Sequence, residues 1–235
     1  MAVRHFSGLN VQEPSKVGSG SPLWPHSAYM PPGNYTFAGE SYDCSKSGRY
    51  VFQNGFSIAI RLVFANDLYG LMSGISWNHA HGVDDEHLTD MQAFSNAGMT
   101  HKWRARCGII AAHAVWLLPQ LGFQARRVQA LTLGPLNGFD DGHIMPEVFH
   151  DGKWKLWDLT NGCYWTNANG AHLSLAEIVA AGSANCQRVQ IDAADKAGTD
   201  LAGGFCMATY REVAFRTEPE RDAWFARIFQ SWSVL

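Results

Sequence analysis

Trp103-Arg104-Ala105-Arg106-Cys107-Gly108-Ile109-Ile110-Ala111-Ala112-His113-Ala114-Val115-Trp116-Leu117-Leu118 is the stretch from which the rest of this sequence is read. The apolar run after Gly108 is long and rich in Ala and Leu, which predicts a buried helix. Cys107 then falls in the first turn. Unpaired N–H groups and the positive end of the helix dipole favour a thiolate there, and Arg104 and Arg106 add to that field. A thiolate at neutral pH is a nucleophile. The plainer reading is a buried structural thiol, the commoner fate of cysteine, and what weighs against it lies downstream.

Gly142-His143-Ile144-Met145-Pro146-Glu147-Val148-Phe149-His150 and Lys153-Trp154-Lys155-Leu156-Trp157-Asp158-Leu159-Thr160 flank Asp151-Gly152. Asp-Gly between two β-prone runs predicts a two-residue hairpin. Pairing His150 with Lys153 brings Asp158 opposite Met145, so His143 and Asp158 become diagonal neighbours on one face. A carboxylate so placed accepts one imidazole N–H and leaves the other nitrogen for a thiol. Pro146 cannot donate to a ladder and predicts an edge position or a bulge.

Several of these stretches resemble the transglutaminase-like superfamily, a branch of the papain-like cysteine enzymes. They are Cys107-Gly108 opening a helix, Leu121-Gly122-Phe123-Gln124-Ala125-Arg126-Arg127-Val128 leaving it, His143 with Glu147-Val148, and Trp154 through Asp158-Leu159-Thr160. The match spans roughly residues 75 to 165. The resemblance implies an α+β papain/transglutaminase-like core, a mainly antiparallel sheet with the cysteine-bearing helix packed against it. It implies Cys107, His143 and Asp158 as a catalytic triad, and an upstream tryptophan as oxyanion partner. Trp77, thirty residues before the cysteine, fits that place best, with Trp103 as the other possibility or as part of the substrate cleft. Arg106 departs from the small residue usual before the cysteine, and Pro146 interrupts the histidine strand; both bear on substrate class. Arylamine N-acetyltransferases use a similar triad, but Asp158-Leu159-Thr160 reads more like the transglutaminase branch.

A chain of 235 residues is ample for one hydrophobic core with a modest extension. Hydrophobic residues make up 46% and charged residues 17%, a folded globular composition. A net charge of −3 gives no electrostatic argument for nucleic acid or anionic membranes. No run reaches a membrane-spanning length of about eighteen apolar residues. The N-terminus lacks an apolar signal core, so the expected location is cytoplasmic, or exported if a signal was removed. Cysteines at 44, 107, 163, 186 and 206 show no zinc spacing, and their odd number leaves at least one thiol free. No cofactor or metal is called for.

Residues 1 to 50 carry dense turn signals with interleaved aromatics such as Trp24, and read as an ordered N-terminal arm laid over a catalytic domain at 51–235. Phe56 to Met72 alternates at several positions, yet its length favours a buried helix. Asp84-Asp85-Glu86 reads as an acidic start for a helix running to Phe94. His79 and His81 put two imidazoles on one side of an extended segment. No further ligand spacing follows, so they stand as cleft-lining candidates against the plainer reading of a solvated loop. His113, about 240° around the helix from Cys107, reads as structural. Asp140-Asp141 either holds the loop at the cleft mouth or is simply solvated, and solvation is the plainer reading. Ser174-Leu175-Ala176-Glu177 is a capping box, and Thr217-Glu218-Pro219-Glu220 starts a C-terminal helix presenting Trp224, Phe225, Ile228 and Phe229 to the core.

The expected activity is cysteine-dependent acyl transfer, hydrolysing an amide or ester in a peptide or glycan-linked substrate. Hydrolysis is preferred to cross-linking because nothing marks an amine-donor site or a calcium loop. The alternatives are a binding module for peptide or carbohydrate with aromatics such as Trp24 on its surface, or saccharide chemistry with His143 as general base.

Overall fold

The Asp151-Gly152 turn organises the sheet that carries the site. Both residues have positive φ, 55° and 79°, the two-residue turn whose twist matches that of the flanking strands. Register then follows, with His150 opposite Lys153 and Glu147 opposite Leu156. The computed structural model describes residues 11–12, 15–17, 21–22, 31–37, 40–46, 48–53, 61–65, 67–98, 103–138, 141–191 and 218–235.

The first half holds β1 (Val11–Gln12), β2 (Ser15–Val17), β3 (Ser21–Pro22), β4 (Gly33–Phe37), β5 (Glu40–Cys44), β6 (Arg49–Gln53), β7 (Arg61–Ala65), α1 (Leu68–Trp77), β8 (His79–His81), α2 (Met91–Ala97) and β9 (Trp103–Ala105). The second holds α3 (Cys107–Gln120), β10 (Gln124–Leu131), β11 (Gly142–His150), β12 (Lys153–Leu156), β13 (Cys163–Thr166), α4 (Leu175–Ala181), β14 (Gln187–Gln190), α5 (Glu218–Ile228) and β15 (Ser231–Val234). The architecture is α+β. Its main sheet has the order β12-β11-β10-β15 and is antiparallel throughout.

Helices cover this sheet on both sides. Ile110, Leu117 and Leu118 of α3 share one buried cluster with Val148 and with Leu71, Met72 and Ile75 of α1. Met145, Val128 and Ala130, on the opposite parity, join Ile178 of α4 and Trp224, Phe225 and Ile228 of α5 in a second. The period-2 alternation of the strands makes this division possible. Pro119 sits in the last turn of α3, and Gly122 at φ 87° closes it as Phe123 N–H bonds Leu118 O.

Three local expectations are corrected. Arg61–Ala65 is a strand paired to β6, not helix, so the alternation there was the true signal. Asp67, read as internal to a helix, is the N-cap of α1, accepting from Gly70 N–H at 2.6 Å. The rest of the helix expected over Phe56–Met72, residues 56–60 and Asn66, lies outside the described residues. Asp84–Glu86 forms turns, and α2 starts later, capped by Asp90.

Pro146 is neither at an edge nor in a bulge. It lies in a central strand opposite Arg127, and its carbonyl accepts from Trp157 N–H at 3.0 Å. Its missing donor would face the same side, one step beyond the last β11–β12 pair. The ladder therefore stops there, and Asp158 turns away to pair with Cys163. The expected boundary at residue 50 falls inside β6, which pairs with both β1 and β7. No described helix is long and apolar enough to cross a membrane.

Candidate active site

Cys107 is the first residue of α3, and the segment leading to it is tied down from one side. Arg106 N–H and Nε donate to Glu86 Oε1 at 3.1 and 2.6 Å, while Nη2 reaches Oε2 at 2.6 Å. Arg104 N–H donates to Asp85 Oδ2 at 2.7 Å, and its guanidinium pairs with Asp84 at 3.0 Å. The acidic triplet thus clamps the strand before Cys107 instead of opening a helix. Bidentate contact fixes orientation as well as distance.

His143, second residue of β11, meets Asp158 just past the end of β12. Its Nε2 lies 3.0 Å from Asp158 Oδ1, with His143 3% exposed and Asp158 0%. The ring N–H is not well aligned with that oxygen, so charge carries this contact more than a linear hydrogen bond does. Asn161 supplies the remaining donors to the carboxylate, from N–H at 2.9 Å and from Nδ2 at 2.7 Å. Burial opposes ionisation of Asp158, but the His143 charge and the Asn161 bonds outweigh it and hold its pKa below the ordinary value. Burial likewise pulls His143 down, yet the charges of Asp158 and Cys107, with its close contacts to both, raise it to about 10.

The sulfur is surrounded by donors. Burial disfavours its thiolate, and the His143 charge with hydrogen bonds from His143, His81 and Ile144 N–H overcomes this, lowering Cys107 to about 5. With Nε2 on Asp158, Nδ1 is the imidazole nitrogen left for the thiol. The flanking arginines, expected from sequence to add to the field at the helix start, are engaged by Asp84 and Glu86. Cys107 is partly exposed while His143 and Asp158 are buried, so reagents meet the sulfur first.

The other proposed site residues divide. His81 is buried, not in a solvated loop, and joins the site through Cys107. His79 is fully buried with Nε2 on Ala105 O at 2.7 Å, holding β8 to the strand before the cysteine; it does not line a cleft. Trp103 is core, stacked on Phe94 at 5.5 Å with Nε1 donating to Phe94 O, so the cleft role is corrected for it too. Trp77 ends α1 with its side chain buried. Trp24 lies outside the described residues. His113 is buried among Phe94, Trp103 and Trp116, as a structural histidine should be.

The sequence reading did not name Asn161, and it did not tie Trp224 or Asp141 to the site. Trp224 of α5 places its ring 5.1 Å from that of His143. Its apolar, core-facing pattern was visible, but only tertiary packing says which residue it covers. Asp141 is not simply solvated: it accepts from Asn137 and Gly138 N–H and pairs with Arg227 at 2.7 Å, pinning the loop before His143 to α5.

A cavity of about 400 Å³ lined by Trp165, Cys186, Arg188, Asp222 and Phe225 contains none of Cys107, His143 and Asp158. Among the described residues no cluster of three His, Cys, Asp or Glu is arranged to hold a metal ion. No family model, no curated protein and no solved structure matches this chain.

Proposed function

We propose that this protein is a cysteine-dependent acyl-transfer enzyme of transglutaminase-like type that hydrolyses an amide or ester in a peptide or glycan-linked substrate. The observation that supports this most is the buried Asp158–His143 pair set against a partly exposed Cys107 at a helix start. A structural thiol has no need of a charged imidazole, and a binding module has no need of all three groups.

The chemistry follows from the charges. Cys107 Sγ, as thiolate, attacks the carbonyl carbon; the S–C bond forms as the C=O π pair moves onto oxygen. Collapse expels the amine or alcohol, which takes the proton held on His143 and leaves a thioester on Cys107. His143, now neutral, removes a proton from water as its oxygen attacks the thioester. The acid product departs and the thiolate–imidazolium pair is restored. Asp158 keeps the ring oriented and favours its cationic form throughout.

The test is acylation of wild type and Cys107→Ala by p-nitrophenyl acetate, followed by intact mass. Wild type should release p-nitrophenolate in a burst and gain one acetyl group at Cys107, and Cys107→Ala should do neither. Equal behaviour of the two proteins would remove the proposal. Peptide, cell-wall and glycan extracts screened for an adduct on wild type alone then identify the substrate class.

A further inference from the structure

Resting on that reading, we propose that His81, rather than Trp77, supplies the side-chain donor that holds the oxyanion formed at Cys107. His81 ends β8, which runs parallel to β9 with His81 opposite Ala105, two residues before the nucleophile. His81 is 8% exposed, and its ring is among the donors that favour the Cys107 thiolate. Trp77 lies at the end of a separate element, α1, four residues earlier.

The placement of the His81 ring is built, not incidental. His79, two residues back on the same strand, bonds Ala105 O at 2.7 Å, and Gly82 N–H reaches that carbonyl at 3.3 Å. The His79 and His81 rings meet edge-on, with centroids 6.3 Å apart. Asp85 and Glu86 then bind the backbone of Arg104 and Arg106, so the chain that follows this short parallel ladder is also fixed to the segment entering α3. His81 therefore cannot move far relative to Cys107.

An oxygen on a carbon bonded to Sγ sits roughly 3 Å from the sulfur, so a donor that reaches the sulfur is positioned to reach that oxygen. As charge passes from sulfur to oxygen during attack, the His81 N–H follows it. The backbone supplies a second donor. Ile109 and Ile110 N–H groups both go to Arg106 O, which leaves the Cys107 and Gly108 amides at the opening of the helix. His81 needs to lose no proton in this role, whereas His143, backed by Asp158, performs the proton transfers.

Alkylation and acylation separate this role from any other. Iodoacetamide reacts by displacing iodide at a saturated carbon, so no oxyanion forms; p-nitrophenyl acetate requires one. In His81→Leu, and in His81→Ala as a second variant without a donor, Cys107 acylation should fall about 10²–10³-fold. Iodoacetamide alkylation at its plateau pH should change by no more than about five-fold. His81→Gln keeps an N–H donor but cannot titrate, and should recover acylation to within about ten-fold of wild type. Acylation unchanged in a folded His81→Leu or His81→Ala protein would overturn the assignment. So would His81→Gln as impaired as His81→Leu, since that pattern marks a proton-transfer role. Cys107-dependent acylation in wild type stands apart as the control: its absence removes the enzyme reading, while its presence with no effect at His81 removes only this inference.

Discussion

Two buried histidines in this protein end with pKa values shifted in opposite directions. His113, on the core face of α3, and His143, at the start of β11, are 0% and 3% exposed. Burial pushes both toward the neutral form. At His113 nothing opposes it. Neither ring nitrogen has a hydrogen-bond partner among the described residues, the ring packs against Phe94, Trp103 and Trp116, and its pKa falls to about 3. At His143, burial is outweighed by Asp158 and Cys107, and the pKa rises to about 10. Burial alone does not decide what a histidine does. The partner it is buried with decides.

Removing the partner should therefore be the most damaging change. Asp158→Asn keeps the shape but removes the charge that favours the cationic ring, and acyl transfer should fall on the order of 10³–10⁴-fold. Its Cys107 thiol should also titrate at higher pH. Turnover within ten-fold of wild type would break the comparison, because His143 would then owe its state to something other than Asp158.

The second prediction concerns stability at His113. Its pKa is lower in the folded state, so between pH 6.5 and about 3 the unfolded chain binds a proton that the folded one does not. Stability from this group is complete above pH 6.5 and is lost as pH falls toward 3, by about 1.4 kcal/mol per pH unit. In urea unfolding, the stability of wild type relative to His113→Leu should fall on acidification with that slope. Parallel stability curves would mean that His113 finds a proton partner inside the fold. His143 has the opposite sign: its raised pKa contributes stability below pH 6.5, lost as pH rises through about 10.

A smaller effect is expected at Trp224, whose ring contacts that of His143. Trp224→Phe retains an aromatic but weakens its attraction for the cation by about 0.5–1 kcal/mol. The upper limb of the pH–rate profile should move down by less than one unit, while an unmoved limb would reduce Trp224 to packing. Smallest of all is Arg104→Gln with Arg106→Gln, which should shift the apparent pKa of Cys107 by less than about half a unit. A shift above one unit would make the arginines real contributors to the thiolate.

The regions either side of Cys107 differed in how openly the sequence showed them. The β11–β12 hairpin was legible because its signals are local: Asp151-Gly152 fixes the turn, the turn fixes the register, and the register brings His143 to Asp158. Capping of α4 by Ser174 and Glu177 was legible for the same reason. The segment from 61 to 106 was not. Asp67 and Asp90 cap helices there, whereas Asp84, Asp85 and Glu86 bind Arg104 and Arg106 about twenty residues away. An acidic side chain looks the same in sequence whether it caps a helix or clamps a distant strand. Pairing of β8 with β9 is likewise non-local. Sequence could therefore nominate His81 for the cleft, but only the fold brings it to Cys107. Pro146 taught the reverse lesson: its effect was local, ending the β12 ladder, although the strand it occupies is central.

The pH dependence of Cys107 alkylation tests the central claim most directly. Native protein is treated with iodoacetamide from pH 4 to 11, and each cysteine peptide is followed by mass spectrometry. Cys107 should react along a curve that rises near pH 5 and stays level toward pH 10, because a thiolate–imidazolium pair persists between those limits. Cys44, raised by burial to about 12, and Cys186, also raised by burial, should lag throughout. In His143→Ala the level region should vanish and the rise should move up to the free-thiol range, near about 8.5 or above. A wild-type Cys107 that reacts only along such a late rise, indistinguishable from the other thiols, would contradict the account.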